Sequence, residues 1–376
     1  MREQIRNLHP ASFAAVMATG IISIAFKGLG HNFIAMSLWA INIVLYPALF
    51  CLLALRILLY PAALLNDLKH PKKGFALLTF IAGTNTFGMQ LISCNLVGLA
   101  KVLWFIGFVS WVFLVYFIIV NLIAFRNGTI ADVVEGATLL TIVSTQSVAL
   151  LGSTLAGTFG INSETVLFLA WTLWASGFIL YLVIITLVTY RLAFCPLHPQ
   201  DWTGPYWICM GAAAITTLAG ATILSKLTIS ANWKDLIPFT KGITLLTWSI
   251  GTWWIPILLL MDVWKFSRLG VLNKVPGWIK VFPWLRIGFG TKLNVYEIPS
   301  WGRVFPLGMY TVCTLALIKT TNFTFLKPIP NYWGWFALTI WVLTFIGALR
   351  SMALFAKNSG LGNYLISGSS ERSCRH

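Results

Sequence analysis

Residues 102–124, VLWFIGFVSWVFLVYFIIVNLIA, form an uninterrupted apolar stretch that contains no charged side chain. A helix of about 20 such residues crosses the hydrocarbon layer of a bilayer with all of its backbone hydrogen bonds made internally. Further stretches of the same character predict ten transmembrane spans in all, at 11–27, 33–59, 74–93, 101–124, 133–157, 164–190, 204–227, 237–264, 301–320 and 332–355. The predicted fold class is therefore an all-α polytopic membrane protein.

The composition agrees with this prediction. Of the 376 residues, 58% are hydrophobic and 10% are charged, and the mean hydropathy is +0.82. A water-soluble core cannot use so much apolar surface, and no hydrophilic stretch between the spans is long enough for a second folded domain. We expect one transmembrane domain over residues 1–376, with helices over about 11–356 and a disordered cytoplasmic tail over 357–376.

The basic residues are unevenly divided between the two sides of the predicted membrane. The formal net charge is +16, with 26 lysines and arginines. If the N-terminus lies inside, 19 of these 26 fall on the inner side and 7 on the outer side. This bias predicts both termini in the cytoplasm and explains the positive charge without a nucleic-acid partner. The membrane that we expect is the inner or plasma membrane.

Small and hydroxylated residues concentrate in the odd-numbered spans, while bulky apolar residues dominate spans 2 and 4 and, less cleanly, spans 6, 8 and 10. Span 7, for example, contains GAAAITTLAG at 211–220. Two interpretations fit this alternation. The odd spans pack closely as the protein interior, because small residues let helix backbones approach, or they line a polar path with their hydroxyl and amide groups. An inner ring of five helices with five outside is a natural geometry for either.

Charged groups avoid the middle of every predicted span. The ten acidic residues and five histidines all lie near span ends or in loops, although proton-driven transporters usually carry the proton on such a group. Glu135 is the nearest candidate, with a solvated helix-start carboxylate as the alternative. A path without fixed negative charge favours anions. Lys241 and Arg303 are candidate outer and inner attractors for anions, or else interfacial anchors.

Catalytic signatures are missing from the sequence. It contains no HExxH motif, no His/Cys ligand cluster, no G-x-S-x-G elbow and no phosphate loop. The six cysteines form no CxxC pair and are interpreted as small apolar residues. We therefore expect a protein that is not an enzyme and that holds neither a cofactor nor a metal.

Four stretches resemble the tellurite-resistance/dicarboxylate transporter family: FAAVMATGI at 13–21, MGAAAI at 210–215, TWWIP at 252–256 and WGRVFPLGMY at 301–310. Their order and spacing carry the resemblance, which covers the whole ten-span body and looks closest to the prokaryotic C4-dicarboxylate/malic-acid branch. The family includes bacterial tellurite-resistance channels, fungal malate permeases, fungal sulfite pumps and plant slow anion channels.

The resemblance implies five helical hairpins, odd-numbered helices around a central pore, and a homotrimer with one pore per subunit. It also implies a gate, because Phe305 matches the phenylalanine that plugs the family's pores; an ordinary packed aromatic is the alternative. The predicted pore lining consists of Phe13, Gly20, Gly83, Thr86, Gly88, Ser144, Gln146, Gly211, Thr216, Gly220, Pro306 and Gly308.

The sequence and the resemblance together predict transport of small anions, such as the C4-dicarboxylate malate, through a pore gated by Phe305. The alternatives are proton-coupled dicarboxylate symport, which would depend on Glu135 or another titratable group, and efflux of an inorganic oxyanion such as sulfite or tellurite. A membrane-embedded enzyme or a scaffold is the alternative from another class.

Overall fold

The computed structural model describes residues 2–125, 128–227, 233–268 and 296–358, with only the backbone for 355–358. Residues 359–376, which make up most of the predicted tail, lie outside the described residues. Within the described ranges the long helices are α1 (Ala14–Gly28), α2 (Asn32–Leu59), α3 (Thr79–Ile92), α4 (Val97–Phe125), α5 (Leu140–Leu155), α6 (Ser163–Phe194), α7 (Ile208–Leu227), α8 (Leu236–Arg268), α9 (Trp301–Thr321) and α10 (Pro328–Asn358).

Each predicted span corresponds to one of these helices, which confirms the all-helical membrane fold. In the described residues, nine helical segments are long and apolar enough to cross a membrane, and α1 is a shorter apolar helix. Its 15 residues extend only about 22 Å, less than the ~30 Å of the hydrocarbon layer. Val16 and Ile22 are nevertheless fully buried, because α1 is surrounded by other helices.

Predicted spans 3 and 5 do not begin as single continuous α-helices in the structure. Span 3 is divided at Leu78 into the short helix Pro71–Leu77 and α3. The short helix begins where the His70 side chain accepts hydrogen bonds from backbone N–H groups, with proline in the first position. Span 5 begins with a 3₁₀ turn at Gly136–Leu139 that leads directly into α5.

Burial alternates along the chain as the composition of the spans predicts. In the most apolar window of each even-numbered span, only 17, 28, 33, 33 and 33% of residues are buried. The corresponding values for spans 3, 5, 7 and 9 are 78, 94, 89 and 72%. The odd-numbered helices are therefore inside and the even-numbered helices outside.

The inner helices form a closed ring. Going around it, α1 contacts α3, α3 contacts α5, α5 contacts α7, α7 contacts α9, and α9 returns to α1. Each even-numbered helix packs against the odd-numbered helix that precedes it, so the chain forms five helical hairpins. These contacts confirm the predicted architecture of five inner and five outer helices.

Each outer helix is also hydrogen-bonded to the inner helix of the next hairpin. The donor is an aromatic N–H or O–H group, and the acceptor belongs to a threonine. The five bonds, called the aromatic belt below, join Tyr46 to the Thr84 hydroxyl (3.2 Å), Trp111 to the Thr145 hydroxyl (2.8 Å), Trp174 to the Thr216 carbonyl (2.9 Å), Trp248 to the Thr314 hydroxyl (3.0 Å) and Trp341 to the Thr19 hydroxyl (3.0 Å).

Candidate functional site

A cavity of about 170 Å³ opens at the end of the ring where the odd-numbered helices begin. The beginnings of all five inner helices, with the segments that precede them, contribute to its wall. The cavity, called the vestibule below, is lined by His9, Pro10, Ala11, Ala14, Met17, Lys72, Lys73, Ala76, Thr79, Glu135, Ala137, Leu140, Pro205, Ile208, Pro299, Trp301, Gly302 and Phe305.

The helix ends make the vestibule attractive to negative charge. The dipole of each helix places about half a positive charge at the end where the helix begins. Five such ends converge on one cavity, and the ammonium groups of Lys72 and Lys73 add full positive charges to its wall. This arrangement is suited to collecting anions.

Phe305 lies at the deep end of the vestibule. Trp301 and Gly302 line the cavity in the first turn of α9, and Phe305 lies one turn further into the ring with 2% of its surface exposed. Pro306 follows directly and has no backbone N–H, so this turn of α9 lacks the hydrogen bond to the carbonyl of Gly302. The predicted gate residue thus lies on the axial cavity, at a turn with one fewer backbone hydrogen bond.

The glycines of the predicted lining lie at contacts between helices. A Cβ atom on Gly211 would lie 2.8 Å from Cγ of Pro306, and one on Gly88 would lie 2.6 Å from Cδ2 of Leu151. Three others approach their neighbours about as closely, since Gly20 meets Thr86, Gly220 meets Thr244 and Gly308 meets Ile21, while Gly83 meets Phe13 at 3.2 Å. These glycines allow close packing of helices, which is the first of the two interpretations of the small-residue pattern.

The remaining predicted lining residues make contacts within the protein. The ring of Phe13 packs edge-on against Phe80, with 5.1 Å between centroids. Gln146 donates its amide N–H to the Trp174 carbonyl of the outer helix α6 at 3.0 Å. The hydroxyls of Thr86, Ser144 and Thr216 donate to carbonyls of their own helices. Of the predicted gate and lining residues, all of which are described, only Phe305 contributes to the vestibule.

One acidic group near the end of a predicted span is buried in the protein interior. Asp262 of α8 is fully buried and accepts hydrogen bonds from the indole N–H groups of Trp202 (2.8 Å) and Trp207 (2.9 Å). Its carboxylate also pairs with Arg303 at 3.3 Å. The sequence alone does not reveal this site, because Asp262 lies near the end of a long apolar span.

The two predicted anion attractors lie elsewhere. Lys241 is exposed near the start of the outer helix α8, and Arg303 is buried against Asp262. Neither contributes to the vestibule. Its lysines belong instead to the run KHPKKG at 69–74, a cluster of basic residues that the sequence shows directly before span 3.

Glu135 is the acidic group of the vestibule. Its carboxylate Oε2 atom lies 3.9 Å from Nζ of Lys72. Burial raises the pKa of the Glu135 carboxyl above its ordinary value, and the positive charges of Lys72 and Arg191 oppose that rise. The residue that the sequence singled out as the nearest proton carrier therefore faces the cavity on which the inner helices converge.

Known proteins resemble this chain along half of its length or more. An uncharacterized membrane protein of Mycobacterium tuberculosis is 34% identical over 50% of this chain and 84% of its own. An uncharacterized transporter of Methanocaldococcus jannaschii is 23% identical over 94% of this chain and 97% of its own. A sulfite efflux pump of Trichophyton rubrum is 24% identical over 91% and 90% of the respective chains.

The relatives are named as membrane proteins, transporters and an efflux pump, in agreement with ten helices around a vestibule and with a transporter or channel rather than an enzyme. A family model described as voltage-dependent anion channel matches residues 7–349. That match includes all ten helices except the end of the last, and the chain belongs to the SLAC1 family of voltage-dependent anion channels.

Proposed function

We propose that this protein conducts small anions along the axis of the inner ring, from the vestibule past Phe305. The observation that carries the proposal is the position of Phe305, which lies buried at the deep end of a cavity formed by the beginnings of five helices. Helix ends and lysines attract an anion into this cavity, while a cation meets the same charges as repulsion.

Phe305 is the gate of this path. A benzyl side chain in a narrow neutral passage excludes water and ions, and rotation of the side chain opens the passage. The missing backbone hydrogen bond at Pro306 makes the surrounding turn easier to adjust. Moving a side chain off its preferred rotamer costs about 0.5–1.5 kcal/mol, which is a modest barrier for a gate.

The substrates are small oxyanions. C4-dicarboxylates such as malate are the first candidates, because the sequence resembles that branch of the family. Sulfite is the second, favoured by the relatives that carry the name of sulfite efflux pumps. Both present negatively charged oxygen atoms, to which lysines donate the same charge-assisted hydrogen bonds.

The protein lies in the inner or plasma membrane as a homotrimer, with both termini and the vestibule on the cytoplasmic side. The distribution of lysines and arginines supports this orientation, and the family resemblance supports the trimer. Native mass spectrometry in detergent tests the trimer. A cysteine introduced at Lys69, in a variant without native cysteines, should react with an impermeant maleimide only after intact cells are permeabilised.

Flux measurements on the purified protein in liposomes test the proposal. We expect uptake of malate or sulfite from a panel that also contains chloride, nitrate and succinate. Phe305→Ala should raise the flux by up to about tenfold, which corresponds to removal of a ~1.4 kcal/mol barrier. Phe325→Ala is the matched control, because Phe325 is exposed beyond the end of α9.

Three outcomes separate the possibilities. A folded Phe305→Ala variant with unchanged flux would remove the gate from the proposal. Uptake that collapses with a protonophore would establish proton-coupled symport in place of passive conduction. A complete lack of flux for every anion in the panel would contradict the function itself.

A further inference from the structure

We propose that Lys72 is the anion-binding residue of the vestibule and that Glu135 is its internal counter-ion, which the transported carboxylate or sulfite displaces. The inference rests on the proposed anion conduction and deepens it, because it names the site where the anion first binds and the group with which it competes.

The distance between Lys72 and Glu135 leaves the ammonium group of Lys72 able to donate hydrogen bonds to an anion. The 3.9 Å between Nζ and Oε2 is too long for a hydrogen bond, which requires about 2.7–3.2 Å. The two charges attract each other, but the N–H groups of Lys72 are not directed into a short bond with Glu135. The Lys72 side chain is also 38% exposed, so an anion in the vestibule can reach it.

The backbone holds Glu135 in place at the cavity wall. Its N–H group donates to the hydroxyl of Thr138 at 3.1 Å. The adjacent Gly136 approaches Pro205 so closely that a Cβ atom there would lie 2.3 Å from the proline carbonyl. The backbone therefore keeps Glu135 at the cavity wall, where its carboxylate competes for Lys72 with an anion that enters.

A second cation can balance the negative charge of Glu135 when an anion binds to Lys72. Arg191 of α6 is close enough to lower the pKa of Glu135, and only 6% of its surface is exposed. Its Nε and Nη1 atoms have no hydrogen-bond partner among the described residues. The displaced carboxylate is thus compensated either by this guanidinium group or by a proton.

The other charged groups around the pair come from separate elements. Asp132 lies on the short helix Ile130–Val133, and His9 precedes α1. Lys73 is paired with Asp67 at 3.3 Å, so its charge is already partly balanced. Lys72 is therefore the vestibule lysine whose counter-ion faces the same cavity as the incoming anion.

The site fits a small anion with charge shared over several oxygen atoms. Nitrate is the appropriate probe, because it does not titrate between pH 5 and 8 and any pH effect then comes from the protein. The measured quantity is the half-saturation concentration of nitrate flux in liposomes.

At pH 7 we expect Glu135→Gln to lower the half-saturation concentration about fivefold, because the competing charge is removed. Lys72→Gln should raise it about fivefold, and Lys72→Arg should keep the wild-type value. Lys69→Gln is the matched control and should change nothing, since Lys69 is exposed and lies outside the vestibule.

The pH dependence provides a test on the unmodified protein. Protonated Glu135 no longer competes, so the wild-type half-saturation concentration should fall as pH decreases through the raised pKa of Glu135. Glu135→Gln should show no such dependence. His9→Gln should keep it, which excludes the vestibule histidine as its source.

The inference is overturned if wild type and Glu135→Gln share one half-saturation concentration and one pH dependence. Persistent nitrate flux, raised further by Phe305→Ala, would then leave the proposed function intact. If the wild-type protein passes no nitrate, malate or sulfite, both the inference and the proposed function are wrong.

Discussion

Trp341 of α10 donates its indole N–H to the hydroxyl of Thr19 in α1 at 3.0 Å, across 322 positions of the sequence. This bond joins the last helix to the first, and it completes the aromatic belt that links each hairpin to the next. The outer helices therefore hold the ring of inner helices together through five hydrogen bonds.

Replacing Trp341 by Phe should lower the free energy of unfolding by about 1 kcal/mol. Hydrogen bonds between membrane helices contribute about 0.6 kcal/mol on average and up to ~1.7, and the smaller ring also loses packing. Thermal unfolding in detergent measures the effect. Trp253→Phe is the control, because Trp253 is 62% exposed on an outer helix. Equal melting temperatures for both variants would show that the belt does not stabilise the ring.

Replacing Asp262 by Asn should lower the free energy of unfolding by about 3 kcal/mol. The change removes the charge that pairs with Arg303 and places an amide N–H group against an indole N–H. Breaking a buried ion pair typically costs ~3–5 kcal/mol.

Asp235→Asn is the matched control for this substitution, since Asp235 is exposed just before the same helix. Unfolding curves of the two purified variants can be compared directly. If the Asp262→Asn variant and the wild-type protein have the same melting temperature, the Asp262 carboxylate does not stabilise the contact between the end of α8 and the beginning of α9.

Replacing Gly211 by Ala should destabilise the contact between α7 and α9 by ~1–3 kcal/mol, because the new methyl group would lie 2.8 Å from Pro306. Pro306 follows Phe305, so we also expect a higher basal nitrate flux. Gly242→Ala is the control, since a Cβ atom there has no neighbour within 4 Å. If the nitrate flux and the stability of Gly211→Ala both equal those of Gly242→Ala, then a displacement of α9 beside Phe305 changes neither property.

The ring of five inner and five outer helices could be predicted from the sequence because lipid and protein select different residues. Helices that face lipid carry bulky apolar side chains, as in Val97–Phe125, and helices that face other helices carry small ones, as in Ile208–Leu227. The aromatic belt could not be predicted, because a tryptophan in an apolar span gives no indication of which helix accepts its N–H group.

The site was predicted only in part. Phe305 and Glu135 were identified and both contribute to the vestibule. Lys72 was missed because its position in the cavity depends on where the short helix Pro71–Leu77 begins, which hydropathy does not reveal. Asp262 was missed because a carboxylate near a span end resembles a solvated group until Trp202 and Trp207 are brought to it by the fold.

The circular connection of the hairpins limits how the passage can open. Every outer helix is hydrogen-bonded to the hairpin that follows it, including the last to the first. Two neighbouring hairpins therefore cannot separate at any position in the ring without breaking one of these bonds. Widening the whole ring would strain all five hydrogen bonds of the aromatic belt at once, whereas rotating one aromatic side chain strains none of them. The architecture is therefore a rigid frame, which agrees with the proposal that the Phe305 side chain is the part that moves.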